Sequence, residues 1–175
     1  TLGLVLQDVL LEGLVASIDY YNIEVDNAIV EPLEQNIVNA CYDIEQNANA
    51  PFCQRIIRSP VTGGLAAGPA VGVEITRLNA GSRTAEGIDI ALSKSFGFEA
   101  GELGVNVAAT YIIEQVLQDA DFLPSSDCAG LVGNTCLRPY NEWNVLAQVR
   151  WTTGPLAVQV DGRYLSPVTQ DALVI

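Results

Sequence analysis

From Trp143 to Leu165 the sequence runs WNVLAQVRWTTGPLAVQVDGRYL, and on either side of Thr152-Thr153-Gly154-Pro155 nearly every second residue is apolar or aromatic. A period of two is that of a pleated strand, whose successive side chains point to opposite faces. One face carries Trp143, Val145, Ala147, Val149, Trp151, Leu156, Val158, Val160 and Tyr164. The other carries Asn144, Gln148, Arg150, Gln159, Asp161 and Arg163. A hairpin of this kind must set its apolar face against something other than water, so the rest of the chain has to supply a partner layer or the surroundings do.

The same alternation recurs upstream. Leu2, Leu4 and Leu6 share a face, as do Leu14, Ala16, Ile18 and Tyr20, then Ile88, Ile90, Leu92 and Phe96, then Leu103, Val105, Val107, Ala109, Tyr111 and Ile113. After Tyr20 the apolar set becomes Tyr21, Ile23 and Val25, which predicts either a bulge or the point where the strand passes into a different environment. Lys94 interrupts one apolar face near the turn at 97–102, where its long stem can carry the ammonium to a polar boundary. Connections alternate in length: 8–13, 97–102 and 152–155 are short, whereas 31–70 and 116–142 are long. An antiparallel up-and-down meander of about six strands would gather the short turns at one end and the long loops at the other. In the first long loop, Pro32 followed by Leu33, Ile37 and Cys41 at a spacing of four predicts a short amphipathic helix. A second short helix is expected from Pro51, with Phe52 and Ile56 on one side, and SPVTGGLAAGPAVG (59–72) has the composition of a mobile loop.

Composition excludes several classes of function. Eight basic against 21 acidic residues give a net charge of −13, so the basic footprint needed for nucleic acid is missing. No stretch of about 18 apolar residues encodes a membrane-spanning helix. Cys41, Cys53, Cys128 and Cys136 lack C-x-x-C spacing, and with no histidine in the chain a zinc site is not expected. Four cysteines allow three connectivities, but Cys41 with Cys53 and Cys128 with Cys136 each close a short polar loop. Local disulfides outside the cytoplasm are therefore favoured over free thiols in a reducing compartment. Ser125 and Ser126 sit in a polar loop without a base, so neither enzymatic activity nor a cofactor is expected. The acidic groups Asp19, Glu24 and Asp26, and Asp119 with Asp121, lack the spacing of a calcium loop, and no metal site is assigned. A start at Thr1 and the absence of methionine predict that 1–175 is a piece of a longer protein.

Three environments can satisfy a meander with one apolar face. A soluble sandwich needs a second apolar sheet and crossover connections drawn from the same strands. A soluble up-and-down barrel needs about eight strands and small inward residues. A transmembrane barrel puts the apolar face outward to lipid and the polar face inward to water, with strands of about 9–11 residues. LGVNVAATYII, WNVLAQVRW and LAVQVDGRYL have that length. Tyr111, Trp143, Trp151 and Tyr164 lie on the apolar phase near strand ends, where lipid-facing aromatic girdles occur. Gln148, Arg150, Gln159, Asp161 and Arg163 are then lumen-facing.

With these residues in place, DYYNIEVDNAI (19–29), LNAGSRTAEGIDIALSKSF (78–96) and GELGVNVAATYI (101–112) resemble the C-terminal barrel region of TonB-dependent outer-membrane receptors. In that family an Asp-Tyr-Tyr/Phe strand leads into a long extracellular loop. The return strand carries Asn and then Thr-x-Gly-hydrophobic-Asp/Glu, matched here by Asn79, Thr84, Gly87, Ile88 and Asp89 with one extra residue of spacing. Cys128, Gly130, Gly133, Cys136 and Pro139 resemble the disulfide-clipped extracellular loops of some members. The resemblance implies an all-β fold: part of a transmembrane barrel of about 22 strands, with short helices in one long extracellular loop. About six strands fall within 1–175, and the N-terminal plug and TonB-binding segment do not. It implies location in the outer membrane, with loops 31–70 and 116–142 extracellular. The implied partners are outer-membrane lipid, a transported scarce ligand (a ferric siderophore, cobalamin or an oligosaccharide) and the TonB complex acting through the plug. Glu31, Glu34, Arg55, Arg58, Asp127 and Arg138 are the loop charges expected to touch ligand. The rival expectation is a secreted, disulfide-stapled β-sandwich serving adhesion or carbohydrate binding, whose apolar faces would meet each other.

Overall fold

A computed structural model of the protein describes residues 1–9, 11–65, 71–120 and 123–171. Its strands in chain order are β1 (Leu2–Gln7), β2 (Leu14–Val30), β3 (Ile56–Ile57), β4 (Gly72–Val73), β5 (Leu78–Phe98), β6 (Gly101–Gln118), β7 (Ser126–Asp127), β8 (Leu131–Val132), β9 (Trp143–Thr153), β10 (Leu156–Leu165) and β11 (Thr169–Gln170). One helix, α1 (Glu34–Asn39), runs on into a π-helical turn at Ala40–Glu45, and a single 3-10 turn covers Cys53–Arg55. The main sheet has the order β1-β2-β5-β6-β9-β10, with β7 hydrogen-bonded to β6, while β3 with β4 and β8 with β11 form small separate sheets. The architecture is thus mostly antiparallel β, a meander in which chain neighbours are sheet neighbours. Among the described residues the main sheet stays open, with β1 and β10 at its edges.

Local chemistry sets the short turns. Between β9 and β10, Gly154 adopts φ +49° and Pro155 follows it. Glycine at the first central position is the type II′ arrangement, whose twist suits a hairpin. Asp8 (φ +57°) and Gly13 (φ +72°) turn the chain between β1 and β2. The Asp8 carboxylate accepts the Gly13 amide, and the Asp8 amide donates to the Leu14 carbonyl at 3.0 Å. Lys94 reaches this same turn: its ammonium donates to the Glu12 carbonyl and lies 5.3 Å from the centre of the Phe96 ring. The snorkelling predicted for Lys94 therefore ends on a neighbouring turn rather than on its own.

Register sorts the side chains of the sheet into two faces. Val149 stands opposite Val160, Ala147 opposite Gly162, Val145 opposite Tyr164 and Trp151 opposite Val158, while Leu103 and Tyr111 of β6 meet Trp151 and Trp143. On the other face Gln148 faces Asp161 and Asn106, and Arg150 faces Gln159 and Gly104. Neither face acquires a second layer among the described residues. Val158 and Val160 remain 47% and 67% exposed, so the sandwich expectation, which needs a sheet packed over this face, is not met. The buried aliphatic and cysteine side chains are Val30, Ile37, Ala40, Cys41, Ala120, Cys128 and Cys136. None comes from β9 or β10.

The chain divides into two compact units. One comprises Thr1–Glu24, Thr84–Val116 and Ser126–Ile175; the other comprises Val25–Arg83 and Leu117–Ser125. In the second unit, Ile37 of α1 is fully buried and Cys41 nearly so, as the spacing predicted. Leu33 is an exception, 46% exposed, because it is the extended residue before the helix rather than its first turn. The helix expected from Pro51 shrinks to the 3-10 turn, after which Ile56 is extended and begins β3. Of the expected mobile stretch 59–72, β4 claims Gly72, and residues 66–70 lie outside the described residues. The second long loop starts later than expected, since β6 continues to Gln118.

Within the first unit, β2 passes Tyr20 and Tyr21 without a break. Tyr20 pairs with Leu2 and its hydroxyl donates to Glu86 at 3.0 Å. The Tyr21 hydroxyl lies where a side chain on Gly87 would begin, 2.4 Å from the position of a Cβ there. Adjacent tyrosines thus lie on opposite faces, and the phase change in the sequence marks a change of surroundings rather than a bulge. The left-handed residue of β2 comes later, at Asn27 (φ +53°).

Gly101 tests the closeness of the hairpins. At φ +134° a Cβ would stand 2.2 Å from the Thr152 carbonyl oxygen. Gly101→Ala is expected to cost about 1–3 kcal/mol in urea unfolding. Gly97→Ala, which meets nothing within 4 Å, should stay within about 0.5 kcal/mol.

Candidate functional site

Three features present chemistry: the polar face of the sheet, its apolar face, and the two disulfide-clipped connections. On the polar face the side chains bond across strands. Gln148 and Gln159 both donate to the Asp161 carboxylate, at 2.9 and 3.1 Å. Arg163 donates to Asn144 at 3.4 Å, Ser93 to Asn106 at 2.8 Å and Thr110 to Asp89 at 2.7 Å. The five residues expected to face a lumen, Gln148, Arg150, Gln159, Asp161 and Arg163, share this surface. A shallow concavity of about 260 Å³ opens on it, bordered by Ser17, Ala91, Ser93, Asn106, Ala108 and Gln148. The charged groups Asp161, Arg163 and Asp89 thus bond neutral amide and hydroxyl partners here.

The apolar face groups its aromatic residues by height. Tyr111 and Trp143 are packed with ring centres 4.8 Å apart where β6 and β9 meet. Trp151 lies eight positions further along β9 toward the short turns, and Phe96 and Phe98 stack at 6.5 Å beside the β5–β6 turn. Tyr164 stands opposite Val145, two residues from Trp143. Register therefore puts Tyr111, Trp143, Trp151 and Tyr164 on one face of the sheet.

Both predicted disulfides, Cys41–Cys53 and Cys128–Cys136, are formed, and no described cysteine is free. Around the second, the chain after β10 folds back. β11 pairs in parallel with β8, and Asp171 accepts the amides of Thr135 and Cys136 at 2.8 and 3.0 Å. Gly133 leaves room for that carboxylate, since a Cβ there would sit 1.7 Å from it. Ser166 fixes the start of β9 by accepting the Trp143 amide at 3.0 Å. Nothing local in the sequence signals this clasp, because its partners are more than 20 residues apart.

The loop charges proposed for ligand contact have different fates. The Asp127 carboxylate accepts the amides of Gln115 and Ala129, both at 3.0 Å, tying the loop to β6. Arg138 lies over the Tyr140 ring at 4.9 Å. Glu31 pairs with Arg77 at 3.4 Å on an exposed surface, and Glu34 sits in the first turn of α1. Arg55 donates to Thr76 and stacks on Phe52. Of the six, Arg58 alone lines a groove of about 590 Å³, together with Tyr42, Gln46, Asn47 and Gln54, which the sequence reading had not singled out. No group of three or more histidine, cysteine or carboxylate side chains among the described residues could hold a metal ion. Asp121, one of the acidic residues considered for calcium, lies outside the described residues.

Comparison with protein-family models, with characterised proteins and with solved structures finds no match. The class that the fold itself defines is an all-β chain with an open antiparallel meander, bare on both faces, and disulfide-clipped connections. No helix among the described residues is long and apolar enough to cross a membrane, which says nothing of strands.

The clasp gives a direct test. Asp171→Ala leaves two partly buried or buried amides without an acceptor, at a cost of about 1–3 kcal/mol. Hydrogen exchange at Thr135 and Cys136 is expected to accelerate, with β9 and β10 unchanged.

Proposed function

We propose that the chain is a wall segment of a TonB-dependent outer-membrane receptor, supplying barrel strands and extracellular loops for uptake of a scarce ligand. One observation carries this reading: the sheet is polar on one face, apolar on the other, and covered on neither. Left in water, each large apolar side chain forgoes about 1.5–3 kcal/mol of burial. Summed over the apolar face, that exceeds the net stability of a domain, about 5–15 kcal/mol. A lipid layer removes the deficit, and the polar face then borders a water-filled lumen.

The aromatic rows give the layer a thickness. The step of eight positions from Trp143 to Trp151 spans about 26 Å along the strand, or about 20 Å of height at a tilt near 40°, against an apolar band about 25 Å tall. β5 and β6, at 21 and 18 residues, exceed the ~9–11 needed to cross. Their surplus projects on the side of the long connections. There Glu86 lies on the same side of β5 as Ile88 and Ile90, and it bonds Tyr20, as suits a strand that has left lipid. Open edges at β1 and β10 call for further strands, since an unpaired edge is costly in hydrocarbon. In this reading the barrel has about 22 strands, the loops at 31–70 and 116–142 face outward, and energy comes from the TonB complex through a plug domain. Ferric siderophores, cobalamin and oligosaccharides are the candidate ligands. The secreted sandwich would bury Val158 and Val160, and their exposure leaves it without support.

Trypsin added to intact cells is expected to cut after Arg55 or Arg58 and to spare Arg150 and Arg163. Tryptophan fluorescence should be quenched by brominated lipid. Uptake of one of the three ligand classes should disappear in cells lacking TonB. Cuts at Arg150 or Arg163 in intact cells, or uptake indifferent to TonB for all three, would sink the reading.

A further inference from the structure

We infer that the groove beside the Cys41–Cys53 disulfide binds a carboxylated saccharide, with Arg58 and Tyr42 holding the carboxylate. This deepens the receptor reading by naming a ligand class, and it rests on that reading only for the groove's outward position. The groove holds about 590 Å³, within the range of roughly 300–1,000 Å³ typical of small-ligand sites.

Its electrostatics run against those of the chain. The protein carries 21 acidic residues, yet no carboxylate lines the groove, and its one charged lining residue is Arg58. Glu45, in the same stretch, is committed elsewhere: it accepts the amides of Phe52 and Cys53 at 3.0 and 3.3 Å. Arg58 is held in place before any ligand arrives. It donates to the Tyr42 hydroxyl and to the Gly63 carbonyl, the latter at 2.8 Å, and its guanidinium lies 5.8 Å from the centre of the Tyr42 ring. A guanidinium has five N–H donors, so these two contacts leave others to pair with a carboxylate.

Tyr42 extends the donor set. Its hydroxyl oxygen accepts from Arg58, so its own proton is left for an acceptor. The Asn47 carbonyl oxygen accepts the Asn49 amide at 3.0 Å, which leaves the Asn47 side-chain NH₂ to donate. The Gln54 side-chain NH₂ donates to the Asn49 carbonyl at 3.1 Å, which leaves its oxygen to accept. Paired amide donors and acceptors suit vicinal hydroxyls, and the Tyr42 ring offers an apolar face to a sugar ring. A single guanidinium matches one negative charge. A phosphate monoester, with nearly two charges at neutral pH, would find no second cation among the lining residues. The disulfide ties the two sides of the groove together, which lowers the ordering cost of binding.

The test is calorimetric titration of the full-length protein in detergent with a trisaccharide of galactose in which one unit is galacturonate, and with the neutral galactose trimer. The acidic trimer is expected to bind at least about tenfold more tightly, the scale of one charge-assisted pair. Arg58→Gln should lose about tenfold for the acidic trimer and little for the neutral one. Arg58→Lys should retain part of the preference, and Tyr42→Phe should lose a few-fold while keeping the ring. Mass spectrometry confirming the Cys41–Cys53 link in each variant separates lost binding from lost folding. Equal binding of the two trimers, tighter binding of a sugar phosphate, an unaffected Arg58→Gln, or binding of neither trimer would overturn the inference. The trypsin and TonB experiments judge the receptor reading separately, so either idea can fall while the other stands.

Discussion

A sheet one layer thick cannot bury its apolar face against itself, and most of what is unusual in this protein follows from that. Side chains alternate across β6, β9 and β10, so the twofold period delivers most of the large aliphatic and aromatic residues to one surface, Leu146 and Leu165 being exceptions in register with the polar face. No helix or second sheet among the described residues lies over it. Stability must then come from the ladder hydrogen bonds, from cross-strand pairs such as Tyr111 with Trp143, and from whatever medium meets the bare face. The polar surface answers the same constraint in reverse. Gln148, Gln159 and Asp161 satisfy one another in place, which lets a row of polar groups stand in a strand without requiring protein packing.

Where the chain leaves the sheet it meets the opposite problem, too little apolar material to build a core. The connections solve it with covalent closure and carboxylate–amide contacts. Cys41, Cys128 and Cys136 are among the few buried side chains of the described residues. Each disulfide shortens a polar loop that would otherwise have to be ordered by weak contacts alone. Asp127 and Asp171 act as acceptors for backbone amides that no strand or helix satisfies. In a chain with 21 acidic residues, some of the negative charge is therefore structural, and its loss would be felt as loop opening rather than as altered binding.

The faces of β9 and β10, the Gly154-Pro155 turn, the short–long order of connections and both local disulfides could be read from the sequence. Each depends on residues close together in the chain or on a strict period. The far ends of β5 and β6 could not, because alternation fades where both faces of a strand meet water while the hydrogen-bond ladder continues. The same loss of contrast made Tyr20 and Tyr21 look like a slipped register, although the strand runs straight through them. The amide contacts of Asp127 were hidden for a different reason: a loop carboxylate looks alike in sequence whether it meets solvent or backbone. The pairing of Tyr42 with Arg58, sixteen residues apart, and the contact of Asp171 with Cys136, thirty-five apart, had no periodic signal to reveal them.

The three short turns carry one further consequence. Each joins an ascending and a descending strand with their faces in phase, so the hairpin is the smallest piece whose removal leaves both the sidedness of the connections and the orientation of every remaining side chain unchanged. Deleting β10 alone would throw whatever follows onto the other end of the sheet, whereas deleting β9 and β10 together would only narrow it. Change in such a sheet over evolutionary time is thereby constrained to even steps, and its width can vary while its polar and apolar faces cannot be exchanged.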